Sequence, residues 1–204
     1  MANKIYFIGG GSLVEGELRK IDQVYIQSSK NKSIFVVDVT TNEPQKIKKY
    51  RDFLIMYFKE LGAKKVEFYS SCDVKLLAKK IRQFDILYLP GGNVNLLLEN
   101  IKKNKIERLI RNFKGDVVGN SAGALVLCNK MLITKDENNY KTRVLVGLGL
   151  VDFSVEVHYN GLQDNELIQI KKVLPNTKIY AIPERCALIY SSGSVSMIGD
   201  VKVW

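Results

Sequence analysis

The sequence predicts an α/β fold: a single-domain parallel or mostly parallel sheet with helices on both faces. Apolar runs of strand length alternate along the chain with segments of helical periodicity, which is the pattern of a helix-covered sheet. Runs such as Ile86–Leu89 are apolar throughout, as expected of strands buried on both faces. No internal repeat or low-complexity linker appears, so we expect one domain over residues 1–204.

The first half of the chain shows the alternation most clearly. A strand at residues 5–8 runs into three glycines, and Pro44 suits the first turn of a long helix that ends near Gly62. That helix places its apolar residues on one face and is the clearest helix of the sequence. The other predicted elements here are strands at residues 33–39, 66–69 and 86–89, a helix carrying Leu18, Ile21, Val24 and Tyr25, and a helix that Asp73 would cap, containing Leu76, Leu77 and Ile81.

The second half begins with helices at residues 96–101 and 106–113, which lead to the strand before Ser121. The last third is rich in strand-like segments, with one helix around residues 167–173. The strands predicted there are residues 153–158, 179–182 and 187–190.

Composition excludes several classes of protein. The chain has no apolar stretch near the roughly 20 residues that span a bilayer, and its amino terminus lacks a secretory pattern, so we expect a cytoplasmic protein without a membrane partner. Cys72, Cys128 and Cys186 are widely separated, which favours buried thiols over disulfides or zinc. The net charge of +10 comes from lysines spread along helices without an aromatic platform, so we expect no nucleic-acid partner.

Residues 116–125 are the most informative segment, because they predict a short apolar strand that turns sharply into a helix with Ser121 at the corner. Gly119 and Gly123 bracket the serine, as in a nucleophile elbow. Ser121 is therefore the candidate nucleophile, with Asn120 supporting the turn. The amide of Ala122, at the start of the helix, is a candidate oxyanion donor.

His158 is the only histidine of the chain, so any serine mechanism with an imidazole base must use it. Asp136, Asp152, Glu156 and Glu184 are all conceivable as the carboxylate that orients the ring. Glu184 is our choice because it follows an apolar strand that can hold it rigidly, whereas Asp136 lies in a polar stretch. Asp152 and Glu156 share one strand with His158 and are interpreted as solvated or structural.

A second oxyanion donor is expected at another strand-to-helix turn, where the backbone approaches the substrate without a β-carbon. Gly92, in the turn formed by Pro90, Gly91, Gly92 and Asn93, fits this requirement.

Together these motifs resemble the peptidase E family, which includes aspartyl dipeptidases and the related cyanophycinases and has a fold similar to the flavodoxin-like domains of class I glutamine amidotransferases. The resemblance covers nearly the whole chain, at residues 8–11, 90–93, 119–123, 147–150 and 182–184. It implies a serine peptidase with a Ser121–His158–Glu184 arrangement, the amides of Gly92 and Ala122 as oxyanion site, short peptides as substrates, and no metal or cofactor.

The chain departs from the family where substrate specificity is set. The aspartyl dipeptidases are expected to hold the substrate carboxylate with an arginine after the catalytic histidine, because the guanidinium fork matches a carboxylate. Residues 159–183 contain no arginine, and neither Lys171, Lys172 nor Arg185 can be equated with it. The sequence thus predicts a serine dipeptidase or exopeptidase whose preference for an amino-terminal aspartate stays open. The alternatives are a hydrolase of another small amide or ester and a noncatalytic binding protein of the same fold.

Overall fold

The computed structural model describes residues 2–70, 74–134 and 142–204 and has a mostly parallel central sheet flanked by helices, which confirms the predicted fold class. The strands are β1 Ile5–Ile8, β2 Ser33–Val36, β3 Lys65–Phe68, β4 Ile86–Leu89, β5 Asp116–Asn120, β6 Lys130–Ile133, β7 Arg143–Val146, β8 Ser154–Val157, β9 Ile179–Ile182, β10 Ala187–Ser191, β11 Ser194–Ile198 and β12 Lys202–Val203. The helices are α1 Arg19–Ser28, α2 Pro44–Glu60, α3 Val74–Ile81, α4 Val94–Lys103, α5 Glu107–Arg111, α6 Ala122–Leu127 and α7 Asp164–Val173.

The central sheet has seven strands in the order β11-β10-β1-β5-β4-β2-β3. The five strands from β1 to β3 in this order run parallel, and the hairpin β10-β11 extends the sheet antiparallel to β1. Every residue of β1, β2, β4 and β5 is buried. Their unbroken apolar runs therefore form because helices and loops cover both faces.

Two smaller sheets complete the fold. In one, β8 and β9 run parallel and β12 pairs antiparallel with β9; in the other, β6 and β7 form an antiparallel pair. The polar residues of β8 are buried, and Glu156 is structural, one of the two roles expected for it. The Ser154 hydroxyl donates to the Lys130 carbonyl, and the carboxylate of buried Glu156 accepts from Thr134 Oγ1 at 2.6 Å.

Helix α2 follows its sequence pattern closely. Pro44 occupies the first turn, where its missing N–H costs nothing, and Leu54, Tyr57 and Phe58 are buried against the sheet. Gly62, just beyond the end, has φ of +98°, a conformation that glycine adopts without a side-chain clash. The predicted start, buried face and end of this helix are confirmed.

A buried carboxylate joins α1 to α2. Asp22 is fully buried and accepts hydrogen bonds from the hydroxyls of Tyr25 at 2.8 Å and Tyr57 at 2.6 Å. Burial raises the pKa of Asp22 to about 6, because desolvation of the charge outweighs the two hydrogen bonds. Both hydroxyls donate to the Asp22 carboxyl group, but its burial still makes the ionised form of Asp22 costly.

Several element boundaries differ from those predicted. The strand expected at 33–39 ends at Val36; the Val37 amide still donates to the Tyr88 carbonyl at 2.9 Å, and the Asp38 carboxylate beyond it accepts from the Arg51 guanidinium at 2.6 and 3.0 Å. The helix expected at 106–113 is shorter, Glu107–Arg111. Asp73 and Cys72 lie outside the described residues, whereas Cys128 and Cys186 are buried free thiols, as predicted.

In the three described stretches of the chain, no helix is both long and apolar enough to cross a membrane.

Candidate active site

Three chain segments that leave the ends of strands come together at one edge of the fold. Ser121 follows β5, His158 follows β8, and Glu184 lies just beyond β9. Backbone bonds tie two of these turns to the glycine turn after β1: the His158 amide donates to the Gly9 carbonyl at 2.8 Å, and the Arg185 amide donates to the Gly10 carbonyl at 2.9 Å. The positions of the side chains are therefore set by backbone contacts.

The turn at Ser121 has the geometry of a nucleophile elbow. Ser121 has φ of +49° and ψ of −110°, a strained conformation for a residue with a side chain. A β-carbon on Gly123 would overlap the Leu89 carbonyl oxygen, and one on Gly119 would lie 2.6 Å from the Gly123 carbonyl oxygen. Only glycine fits at both positions, which explains their spacing around the serine.

The three side chains form a continuous chain of polar contacts. Ser121 Oγ lies 2.8 Å from Nε2 of His158, and Nδ1 of the same ring lies 2.9 Å from Oε1 of Glu184. The His158 and Glu184 side chains are 47% and 51% exposed, so a ligand can reach the imidazole from solvent. This arrangement allows a proton to move from the hydroxyl to Nε2 while the carboxylate holds Nδ1–H.

Gly10 is a further residue of this site, to which the sequence analysis gave no role. A β-carbon there would overlap Cε1 of His158 and lie 2.5 Å from Nδ1. His158 itself has φ of +52°, so a left-handed turn directs its ring toward the glycine. The run of three glycines after β1 was the signal, but a glycine run alone does not reveal which side chain fills the space.

The candidate oxyanion donors lie on two turns near the serine. Gly92 has φ of +125°, and the amides of Gly92 and Ala122 donate to no acceptor among the described residues. A β-carbon on Gly91 would come within 3.4 Å of the Ser121 β-carbon, so this turn approaches the serine closely. Asn93 holds the turn in place, because its side chain accepts a hydrogen bond from the Leu96 amide and caps α4.

Asn120 has an unexpected feature for a residue that merely supports a turn. It is only 6% exposed, and its side-chain amide interacts with the buried hydroxyl of Tyr88 on the neighbouring strand β4. Asn120 therefore ties the turn at Ser121 to the core of the sheet.

The other candidate carboxylates lie away from this arrangement or beyond what is described. Glu156 is buried and bonded to Thr134, and Asp152 is exposed. Asp136 lies outside the described residues, as does most of the 135–142 segment. Within residues 2–70, 74–134 and 142–204, no group of three or more His, Cys, Asp or Glu side chains could hold a metal ion.

The cations considered for the substrate carboxylate have different surroundings. Lys171 donates to the Pro175 and Thr177 carbonyls, at 3.1 and 3.0 Å. Arg185 is largely exposed and lies 3.6 Å from Glu17, a loose ion pair beside the glycine turn.

Solved structures show the same fold. A peptidase from an acI-B1 actinobacterium has a TM-score of 0.69 and 18% sequence identity, with 100% of this chain and 90% of that chain covered. A protein provisionally assigned as a peptidase E, from Listeria monocytogenes, has a TM-score of 0.67 and 21% identity, with 97% and 98% covered. The chain therefore has the fold that the sequence resemblance implied.

Two curated relatives share part of the sequence. Both are uncharacterized peptidases, one of Listeria monocytogenes and one of Listeria innocua, and each is 29% identical, over 121 and 131 residues respectively. The matches cover 55% and 56% of this chain but only 59% and 63% of those proteins, so the chain spans less than two thirds of their length. The model of peptidase family S51 matches residues 6–198, nearly the whole sequence, and this chain therefore belongs to peptidase family S51.

Proposed function

We propose that this chain is a serine peptidase that hydrolyses dipeptides or short peptides, with Ser121 as nucleophile, His158 as general base and Glu184 as the group that orients the imidazole. The observation that carries the proposal is the pair of successive contacts, 2.8 Å from Ser121 Oγ to His158 Nε2 and 2.9 Å from His158 Nδ1 to Glu184 Oε1. Membership of peptidase family S51 supports the same reaction class.

The chemistry follows from the roles of the three groups. The Glu184 carboxylate accepts a hydrogen bond from Nδ1–H of His158, which keeps the proton on Nδ1 and leaves the lone pair of Nε2 directed at the serine hydroxyl. As Ser121 Oγ attacks the scissile carbonyl, its proton passes to Nε2, and the imidazolium then gives that proton to the leaving amine. His158 Nε2 then takes a proton from water as the water oxygen attacks the acyl carbon, and returns it to Ser121 Oγ as the ester bond breaks, which releases the acid and restores the serine.

Negative charge develops on the carbonyl oxygen during both attacks. The amides of Gly92 and Ala122 are our candidates for its donors, since Ala122 follows Ser121, Gly92 follows the Gly91 that approaches the serine, and neither amide has a described acceptor. An N–H group that has no acceptor in the free protein and points to the oxyanion binds the charged oxygen more strongly than it binds the neutral carbonyl oxygen of the substrate. This difference lowers the activation barrier.

The preference for dipeptides or peptide ends is part of this proposal, as is the cytoplasmic location, whereas the preference for an amino-terminal aspartate stays open. Short peptides are the proposed partners because a half-exposed pair of catalytic side chains suits a small, solvent-borne substrate. The alternatives are another small amide or ester as substrate, and a noncatalytic binding protein of the same fold.

A dipeptide-library screen tests the proposal. The unmodified chain and a Ser121→Ala variant are incubated with dipeptides that have varied amino-terminal residues, and free amino acids are quantified by mass spectrometry. We expect cleavage of a subset of dipeptides that falls by about 10⁴-fold or more in the variant. Cleavage that is undiminished in Ser121→Ala would contradict the proposal, and hydrolysis of esters or other amides alone would favour the related hydrolase.

A further inference from the structure

A cavity of about 740 Å³ lies next to the candidate nucleophile. Gly91 and Asn120 line it at the end nearest Ser121, and both are neighbours of that serine in space or in sequence. Its volume is within the range of about 300 to 1,000 Å³ that is usual for small-molecule sites. The cavity therefore lies beside the two turns that meet at Ser121, although Ser121 itself is not among the residues of its lining.

The cavity wall is mostly apolar. Leu13 and Val14, in the loop that precedes α1, form one part, and Ile47 and Phe53 of α2 form another. Tyr50 also lines the cavity, and burial raises the pKa of its hydroxyl, so the ring is uncharged at neutral pH. A ligand group that fits this wall is large and uncharged, because it removes apolar surface from water on both sides.

The charged groups of the lining are largely neutralised by partners of their own. Both oxygens of Asp38 accept hydrogen bonds from Arg51, whose guanidinium also donates to the Tyr69 carbonyl at 2.7 Å. Lys46 binds Glu43 at 2.7 Å. Lys49 is exposed to solvent, which screens its charge.

An acidic ligand group would be poorly held in such a cavity. The strongest carboxylate receptor is a free guanidinium fork, and Arg51 already uses its fork on Asp38. A second carboxylate would also lie near the first one. The lining therefore disfavours aspartate and glutamate side chains.

On the basis of the proposed function, we propose that this cavity is the acyl-side subsite and takes an uncharged, bulky and mainly apolar side chain, such as that of leucine, methionine or phenylalanine. The leaving amine must lie close to His158 to receive its proton, and neither His158 nor Glu184 is among the described residues of the lining. The lining instead includes Gly91, beside the candidate oxyanion donor Gly92. The cavity thus holds the side chain of the residue that becomes the acyl group.

Binding to the inactive chain tests this subsite without requiring turnover. Leu-Leu, Asp-Leu and Gly-Leu are titrated into the Ser121→Ala variant by isothermal titration calorimetry. We expect Leu-Leu to bind at least about tenfold more tightly than either of the others, since apolar complementarity of this size gives discrimination of about 10- to 200-fold. Equal affinity for all three dipeptides, tighter binding of Asp-Leu, or no binding of any would overturn the subsite.

Two arginine substitutions in α2 test whether the dipeptide side chain binds against the cavity wall that Ile47 forms. Ile47→Arg in the Ser121→Ala background puts a cation into the cavity, and we expect it to weaken Leu-Leu by about tenfold or more and to make Asp-Leu the tighter ligand. Ile55→Arg adds the same charge to the same helix, but Ile55 lines only the neighbouring depression, whereas Ile47 lines both that depression and this cavity. Ile55→Arg should leave the order of affinities unchanged, and a reversal by both variants would contradict the assignment. Thermal melting shows that each variant is folded.

Hydrolysis of the same dipeptides by the unmodified chain separates the two proposals. Preferential binding of Leu-Leu without Ser121-dependent hydrolysis of any dipeptide would contradict the proposed function and leave the subsite standing. Ser121-dependent hydrolysis with tighter binding of Asp-Leu would overturn the subsite alone.

Discussion

Gly10 provides the space that the imidazole of His158 occupies. A β-carbon at this glycine would overlap Cε1 of the ring and lie 2.5 Å from Nδ1. The neighbouring Gly9 carbonyl accepts the His158 amide hydrogen, and the Gly10 carbonyl accepts that of Arg185. One turn after β1 thus positions the candidate base and the residue that follows the candidate carboxylate.

We expect Gly10→Ala to lower kcat by about 100-fold or more, because a displacement of the base by about 1 Å has an effect of that size. Steady-state hydrolysis of the best dipeptide measures it. Gly62→Ala is the control, since Gly62 also has a positive φ but a β-carbon there meets no atom within 4 Å. Gly62→Ala should lose stability and keep its activity. A Gly10→Ala variant with unchanged kcat would show that the ring position is unimportant.

Glu184→Gln removes the negative charge that holds Nδ1–H while keeping the shape of the side chain. We expect kcat to fall by roughly 10³- to 10⁴-fold with a much smaller change in KM, because the carboxylate stabilises the imidazolium formed in the transition state. Asp152→Asn is the matched control, because Asp152 is an exposed carboxylate that precedes β8, and its activity should stay within about twofold of the parent. Equal losses in both variants would argue against a specific role for Glu184.

The buried carboxyl of Asp22 makes stability depend on pH. Folding raises its pKa from 3.8 to about 6, so the folded chain binds more protons than the unfolded chain between these values. The contribution of Asp22 to the free energy of unfolding therefore falls by roughly 2 to 3 kcal/mol as pH rises from about 4 to about 6.

Asp22→Asn removes this titration. Urea unfolding of both chains between pH 4 and pH 7 should show that the parent loses stability relative to the variant as pH rises, with the change complete near pH 7. A difference between the two chains that is constant over this range would mean that Asp22 does not titrate as its burial implies.

The parts of the fold that depend on local pattern were predictable. β1, β4 and β9 are unbroken apolar runs with the predicted bounds, and α2 has a proline start and an apolar face. Short edge strands were not predicted, because β11 and β12 are largely exposed and are strands only through their pairing with distant segments. The partners of the β8 polar residues were not predicted for a similar reason, since Ser154 bonds to β6 and Glu156 to Thr134 just beyond it.

In the candidate site, too, features with a local sequence pattern were predictable and features that depend on distant contacts were not. A serine between two glycines, one histidine and a glutamate after an apolar strand were all visible in the sequence, because each has a local signature. The role of Gly10 depends on a ring that comes from a residue far along the chain, and the cavity depends on how the loop after β1 meets α2. Such contacts arise from the tertiary structure and have no local pattern.

The most direct test of the central claim is labelling of the intact chain by a fluorophosphonate, with the modified residue identified by mass spectrometry. We expect rapid, stoichiometric modification of Ser121 that is lost in His158→Ala, because the hydroxyl is a poor nucleophile without the base at 2.8 Å. An absence of labelling in correctly folded parent chain, or labelling of Ser121 at an equal rate in His158→Ala, would contradict the account.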